Sequence, residues 1–261
     1  MYRGDSNTRS QGVKTLQELE IGDLGRGVYH LHDCVKSMGK NNIFVDLGVA
    51  QGYSSTVFLM DAEENNNQVY GVDVGYRALW DTVSNHPNYN KILGDTSTIG
   101  KKWNGGDISI LLIDSVHVAQ QTLVELYFWY EHIKEGGIVA FHDTQWEGYI
   151  HKSTAPDAGY PPGSSKKGYD DHGGRKWPTV DKGVKEFFGI DDLNYEDEYI
   201  KSVHNPEDMG FTIITKKKNH DYISGVNDWN TIFQDRNFLI NHFNGRNFMH
   251  GDFKLNMKVE E

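Results

Sequence analysis

Four stretches of this chain finish on an acid. Ile43–Leu47 carries Asp46, Gln68–Val74 delivers Asp73, Ile108–Ile113 stops at Asp114, and Ile138–Phe141 stops at His142-Asp143. One aspartate after an apolar run is ordinary turn chemistry, but four of them point to a site. A carboxylate at a strand end accepts hydrogen bonds from paired ribose hydroxyls, and Asp73 suits that task. Two carboxylates side by side make a hard-oxygen site suited to Mg²⁺. Asp114 and Asp143 fit that description, because neighbouring parallel strands lie about 4.8 Å apart. A metal there orients a diol and lowers the pKa of an attacking hydroxyl. His117, three residues past Asp114, is the natural general base, and His142 offers a nitrogen ligand.

Asp46 opens a second pattern. After it Gly48, Ala50 and Gly52 fall at alternate positions, followed by Tyr53, Ser54 and Ser55. Small residues let backbone N–H groups approach a ligand closely. A dinucleotide fingerprint is G-x-G-x-x-G, with a pyrophosphate on the helix N-terminus. Here an acid precedes the first glycine, which repels a pyrophosphate and suits a ligand carrying an amino group and a sulfonium.

These residues need a scaffold that brings strand ends together. Leu24, Val28, Leu31, Val35 and Met38 share one helical face, and Gly39 follows as a stop. Strand Ile43–Leu47 leads through the glycine turn into a helix over Ser54–Met60. Strand Gln68–Val74 precedes a helix around Tyr76–Val83 and a short strand, Lys91–Leu93, that ends in Gly94-Asp95. The continuous apolar run Ile108–Ile113 reads as a strand buried on both faces. Leu123, Leu126, Tyr130 and Ile133 mark the next helix, predicted to stop at Gly136-Gly137 before strand Ile138–Phe141. Thr179 is placed to cap a helix with Val180, Val184 and Phe187 on one face, and Tyr199–Val203 and Gly210–Thr215 read as an antiparallel pair.

Strand–helix alternation of this kind predicts an α/β fold: a Rossmann-like, doubly wound, mostly parallel seven-stranded sheet with an antiparallel edge hairpin. The expected organisation is a single domain over 1–261. Residues 1–40 are an arm and helix, 41–143 a cofactor-binding core, 144–178 a substrate lid, 179–218 a closing helix and strand pair, and 219–261 a C-terminal extension. The lid segment is rich in glycine and proline and mixes aromatic with polar side chains, among them His151 and Tyr160.

Composition narrows the partners. A net charge of −11 argues against a protein that grips a nucleic-acid backbone. No apolar run approaches the roughly 20 residues that span a bilayer, and the polar N-terminus lacks a signal-peptide core. A lone cysteine, Cys34, suits a reducing compartment. The expectation is a cytoplasmic protein acting on a small-molecule or glycan acceptor, with no nucleic-acid or membrane partner and self-association through the C-terminal extension.

The quoted motifs carry a resemblance. VDLGVAQGYSS, VYGVDV and LGD resemble the first three motifs of class I S-adenosylmethionine-dependent methyltransferases. LLIDSVHVAQQTLVELYFWYEHIKEGGIVAFHDT resembles the subgroup of macrolide sugar O-methyltransferases and cephalosporin-hydroxylase-like proteins, over roughly residues 40–190. The resemblance implies that Asp46, Gly48, Ala50, Gly52, Tyr53, Ser54 and Ser55 line the cofactor, that Asp73 holds its ribose, and that Asp95 sits near its adenine. It implies O-methylation of a sugar or glycosylated small molecule, catalysed by Asp114 and His117, with Asp114, His142 and Asp143 around a divalent cation such as Mg²⁺. The related sugar enzymes carry an acid where this chain has His142. Two rivals stand beside this reading: an NAD(P)-dependent oxidoreductase, and a non-catalytic S-adenosylmethionine-binding module.

Overall fold

The computed structural model describes residues 15–20, 22, 24–75, 83, 85–145, 169–172 and 175–244. The expected helix around Tyr76–Val83 and most of the expected lid, His151 and Tyr160 included, lie outside the described residues.

The parallel strands are β1 (Ile43–Leu47), β2 (Gln68–Asp73), β3 (Tyr89–Leu93), β4 (Ile108–Ile113) and β5 (Ile133–His142). The first helices are α1 (Leu16–Leu19), α2 (Gly27–Met38), α3 (Tyr53–Leu59) and α4 (Ala62–Asn65). They are followed by α5 (Thr96–Lys101), α6 (Ala119–Trp129), α7 (Val180–Phe188) and α8 (Trp229–Asn244). Strands β6 (Tyr169–His172) and β7 (Arg175–Pro178) pair with each other. The chain then adds β8 (Tyr195–Glu196), β9 (Ile200–Asn205) and β10 (Phe211–Lys216).

The main sheet runs β3-β2-β1-β4-β5-β10-β9-β8. β1 to β5 are parallel, and the last three strands join antiparallel. The strand order reverses between β1 and β4, which is where an open α/β sheet leaves a crevice at its carboxyl edge.

Side-chain alternation explains the three layers. Phe44, Ile110, Leu112 and Ala140 face α2 and α3, whereas Val45, Leu47, Leu111, Val139 and Phe141 face α6 and α7. All six residues of β4 are buried, as a strand covered on both faces requires. Helix α6 is buried nearly all round because α5, α7 and α8 each pack on it. No helix among the described residues is long and apolar enough to cross a membrane.

Three expectations need correction. The main sheet has eight strands rather than seven, because Tyr195-Glu196 pairs with Ser202 and Lys201 outside the expected hairpin. Helix α6 ends at Trp129, not at Gly136-Gly137. Those glycines lie inside β5, where pairing jumps from Ile108↔Ile133 to Ile110↔Ile138. The excess residues form a bulge, and Gly136 supplies its positive φ of 77°. Finally, the expected helical face started at Leu24, whereas α2 starts at Gly27 and Leu24 is buried in the turn before it.

Residues 219–244, which carried no assigned element, contain α8. Asp228 accepts from the Thr231 N–H at its start. Trp229 and Phe233 stack edgewise on Tyr127 of α6. Their spacing with Ile232, Arg236, Leu239 and Ile240 is helical, and it was the available signal.

Candidate active site

The turn after β1 is built around two carboxylates. Asp46 points to the α3 side and is fully buried. Ser54 and Ser55 donate to its Oδ2 at 2.7 and 2.5 Å, while Oδ1 has no partner among the described residues. Burial pushes its pKa up to about 7, against the downward pull of those two hydroxyls. Asp73, at the end of β2, accepts from the Ala50 N–H at 2.8 Å and from the Gly75 N–H at 2.9 Å. The ribose candidate thus pins the glycine turn from the neighbouring strand. Ala50 is left-handed at φ 48°, and Gly52 caps α3 at φ 82°. Tyr53 opens α3, with its ring against Gly22.

Across the switch point, the ends of β4 and β5 bring four side chains together. His117 Nδ1 lies 2.9 Å from Asp143 Oδ2, and His117 Nε2 lies 3.5 Å from Asp114 Oδ1. His142 Nδ1 lies 3.2 Å from Asp114 Oδ1 and 3.6 Å from Asp143 Oδ2. Asp114, His117 and Asp143 each offer a ligand atom within 4.8 Å of the others. The expected separation of one base and three ligands is therefore less sharp in space: His117 sits among the carboxylates as closely as His142 does.

The four differ in access. The His117 side chain is 27% exposed, against 3% for His142 and 1% for Asp143. His117 stands at the mouth and the other two at the floor. Asp143 adopts φ 58° and is held from behind, where Thr144 N–H donates to Gly210 O and Gln145 N–H to Met209 O. Burial alone would lower the pKa of both histidines. The facing carboxylates outweigh it, lifting His142 to about 9 and His117 well above its usual value. Burial would raise Asp114, but the two imidazoles hold it well below the usual carboxylate range.

Among the described residues neither oxygen of Asp143 has an aligned hydrogen bond, although both are buried and the His117 ring lies 2.9 Å from Oδ2. Buried carboxylate oxygens of that kind suit positive charge, which the two imidazoles or a bound cation could supply. The donor set fits one.

Asp95, the adenine candidate, caps α5 by accepting from the Thr98 N–H at 2.8 Å, and its Oδ2 takes Arg236 of α8. Arg236 also donates to Gln121 Oε1. Gln121, Thr96 and Ser115 all donate to Oε1 of Glu125, which is fully buried, with Oε2 unpartnered among the described residues. The sequence reading missed Arg236, Ser115 and Glu125, since Glu125 sits in an otherwise apolar helix pattern.

Burial pushes Glu125 up to about 7, against the pull of its three donors. A carboxyl whose folded pKa exceeds its unfolded one stabilises fully below the unfolded pKa, and that contribution fades as pH rises through about 7. Glu125→Gln keeps an acceptor for the three donors without the charge. Urea unfolding should show it more stable than the parent at pH 8, by roughly 1–3 kcal/mol, with the gap closing by pH 5. A gap independent of pH would show that Glu125 does not titrate in the fold.

Residues 45–144, which span every candidate site residue, match the family of the methyltransferase domain. The chain carries an S-adenosylmethionine-dependent methyltransferase domain. No curated protein matches the chain in sequence. Solved structures share the methyltransferase fold. The chain is 13% identical to the methyltransferase PaMTH1 of Podospora anserina, a structure with bound S-adenosylhomocysteine, at TM-score 0.54 over 83% of this chain and 91% of that one. It is 14% identical to the O-methyltransferase TomG of Streptomyces achromogenes, involved in tomaymycin synthesis, at TM-score 0.51 over 84% and 92%. MycE of the mycinamycin pathway, crystallised with Mg, S-adenosylhomocysteine and mycinamycin VI, aligns at 14% identity and TM-score 0.50. That match covers 82% of this chain but 57% of MycE. The oxidoreductase rival falls with the family match.

Proposed function

We propose that this methyltransferase domain methylates a hydroxyl oxygen of a sugar or glycosylated small molecule. The observation that carries this reading is the convergence of Asp114, His117 and Asp143 at the switch point, beside the turn that would hold the methyl donor. A bound acceptor hydroxyl at the mouth would give its proton to His117 in its neutral form, which a cation held by the carboxylates would favour by offsetting the charge that keeps the ring protonated; Nε2 is the looser of its two ring contacts. The oxygen would then attack the methyl carbon in line as the carbon–sulfur bond breaks, leaving S-adenosylhomocysteine. Asp114, Asp143 and His142 would hold a divalent cation, which when bound supplies Lewis acidity toward the acceptor oxygen. MycE, crystallised with Mg, S-adenosylhomocysteine and mycinamycin VI, supports a metal-assisted small-molecule reading by analogy of fold, and the sugar-like acceptor rests on the motif resemblance.

Calorimetry with S-adenosylhomocysteine and NAD⁺ tests the donor half of this reading. Binding of the first at micromolar Kd or better, without the second, is expected. Labelled methyl transfer onto a panel of sugars and phenols, with and without chelator, tests the rest. Transfer confined to phenols would remove the sugar, and transfer indifferent to chelator would remove the cation. Failure of Asp114→Ala and His117→Ala to change any measured transfer would favour the non-catalytic rival.

A further inference from the structure

The floor of the site contains a nitrogen where a magnesium site would use oxygen. His142 Nδ1 forms the apex of a small triangle, 3.2 Å from Asp114 Oδ1 and 3.6 Å from Asp143 Oδ2. Donors bonded at about 2.1 Å and at right angles around one ion stand about 3 Å apart, and the two sides that meet at His142 Nδ1 are close to that spacing. The ring is not free to leave. It is buried, it belongs to β5, and Phe211 of β10 packs beside it. The Asp143 backbone is left-handed, and the next two residues, Thr144 and Gln145, donate to Gly210 O and Met209 O of the β9–β10 turn, which anchors that end of β5. His117 adds a second imidazole at the mouth.

Ligand chemistry decides what such a set prefers. Mg²⁺ favours oxygen donors in near-ideal octahedral geometry and dehydrates reluctantly. Imidazole suits first-row transition ions, and affinity for a mixed nitrogen and oxygen site rises from manganese through cobalt. We propose that the site selects a first-row transition dication, of the Mn²⁺, Fe²⁺ or Co²⁺ class, over Mg²⁺, with His142 as the residue that sets the preference. This rests on the metal-assisted reading above, and sharpens the Mg²⁺ expected from the carboxylates alone.

The test uses the full chain, stripped with chelator and titrated calorimetrically with MgCl₂, MnCl₂ and CoCl₂. Mn²⁺ is expected to bind at least 100-fold more tightly than Mg²⁺, and His142→Asp should shrink that ratio at least tenfold. A ratio near one in the parent, or a ratio that His142→Asp leaves unchanged, overturns the proposal while leaving a metal site in place. No binding of any of the three ions overturns the metal-assisted reading as well. Because an acid at position 142 could disturb the floor, pulsed EPR on the Mn²⁺-loaded chain supplies a readout without that variant. Nitrogen coupling that persists in His117→Ala is expected from His142. Its absence there overturns the assignment.

Discussion

Gly48→Ala should unfold the domain or abolish its binding of S-adenosylhomocysteine. Gly48 sits at φ 91°, outside the left-handed well that an alanine tolerates. A Cβ built there meets Asp114 O at 2.1 Å, Asp114 C at 2.6 Å and Ser115 Cα at 2.7 Å. All three are backbone atoms, so no rotamer change relieves the clash. Relief requires parting the ends of β1 and β4, which breaks the bond from Asp114 N–H to Leu47 O. Backbone strain of ~1–3 kcal/mol and overpacking of ~1–3 kcal/mol add to a cost on the order of 2–6 kcal/mol. That is a large share of the ~5–15 kcal/mol that holds a typical domain folded.

The same movement would separate the glycine turn, the candidate donor site, from Asp114, so binding should fail even where folding survives. The control is two residues away. Ala50 already occupies the left-handed region at φ 48°, so Ala50→Gly should shift stability by no more than about 1 kcal/mol. Urea midpoints and calorimetry on both variants check this. A Gly48→Ala chain with the parent's midpoint and the parent's affinity would mean that the two strand ends are not packed as described.

What could be read in the sequence, and what could not, follows from how far apart the partners lie along the chain. Strand-end acids are local features: a buried apolar run followed by Asp fixes where the carboxylate emerges, and parallel crossovers put such ends on one edge. Asp46, Asp73, Asp114 and Asp143 were therefore visible, and so was the proximity of His117. The bulge in β5 was not, because Gly136-Gly137 after a helical pattern is also a good helix stop. Only pairing with β4 decides between the two. The buried polar network behind the site was also hidden. Arg236 and Asp95 are 141 residues apart, and nothing local to either announces the other. Glu125 was masked by its apolar neighbours, since a carboxyl that gathers three donors is identified by those donors and not by its own helix. The family match ends at residue 144, so α8 and its arginine are elements of this chain that the match does not describe.

His117→Ala should lower kcat for methyl transfer by about 10²- to 10⁴-fold, the range for loss of a positioned general base, with little change in S-adenosylhomocysteine affinity. The histidine is chosen over its neighbours on access. It is 27% exposed where His142 is 3% exposed, so it alone of the two can meet an incoming hydroxyl. Its Nδ1 lies 2.9 Å from Asp143 Oδ2 as an ion-pair contact, and the more loosely held Nε2, 3.5 Å from Asp114, is left to take the proton. With the ring neutral at the start of the step, Asp143 would then compensate the imidazolium as it forms, by the same charge that raises the ring's pKa. A base and a ligand make different demands, and one pair of measurements separates them. If His117 is the base, His117→Ala binds Mn²⁺ within a few-fold of the parent and loses turnover. If it is chiefly a ligand, metal affinity falls in parallel with kcat and excess metal restores much of the rate. A fall of less than tenfold, with metal affinity intact, would remove His117 from the chemistry and leave Asp114 as the candidate proton acceptor.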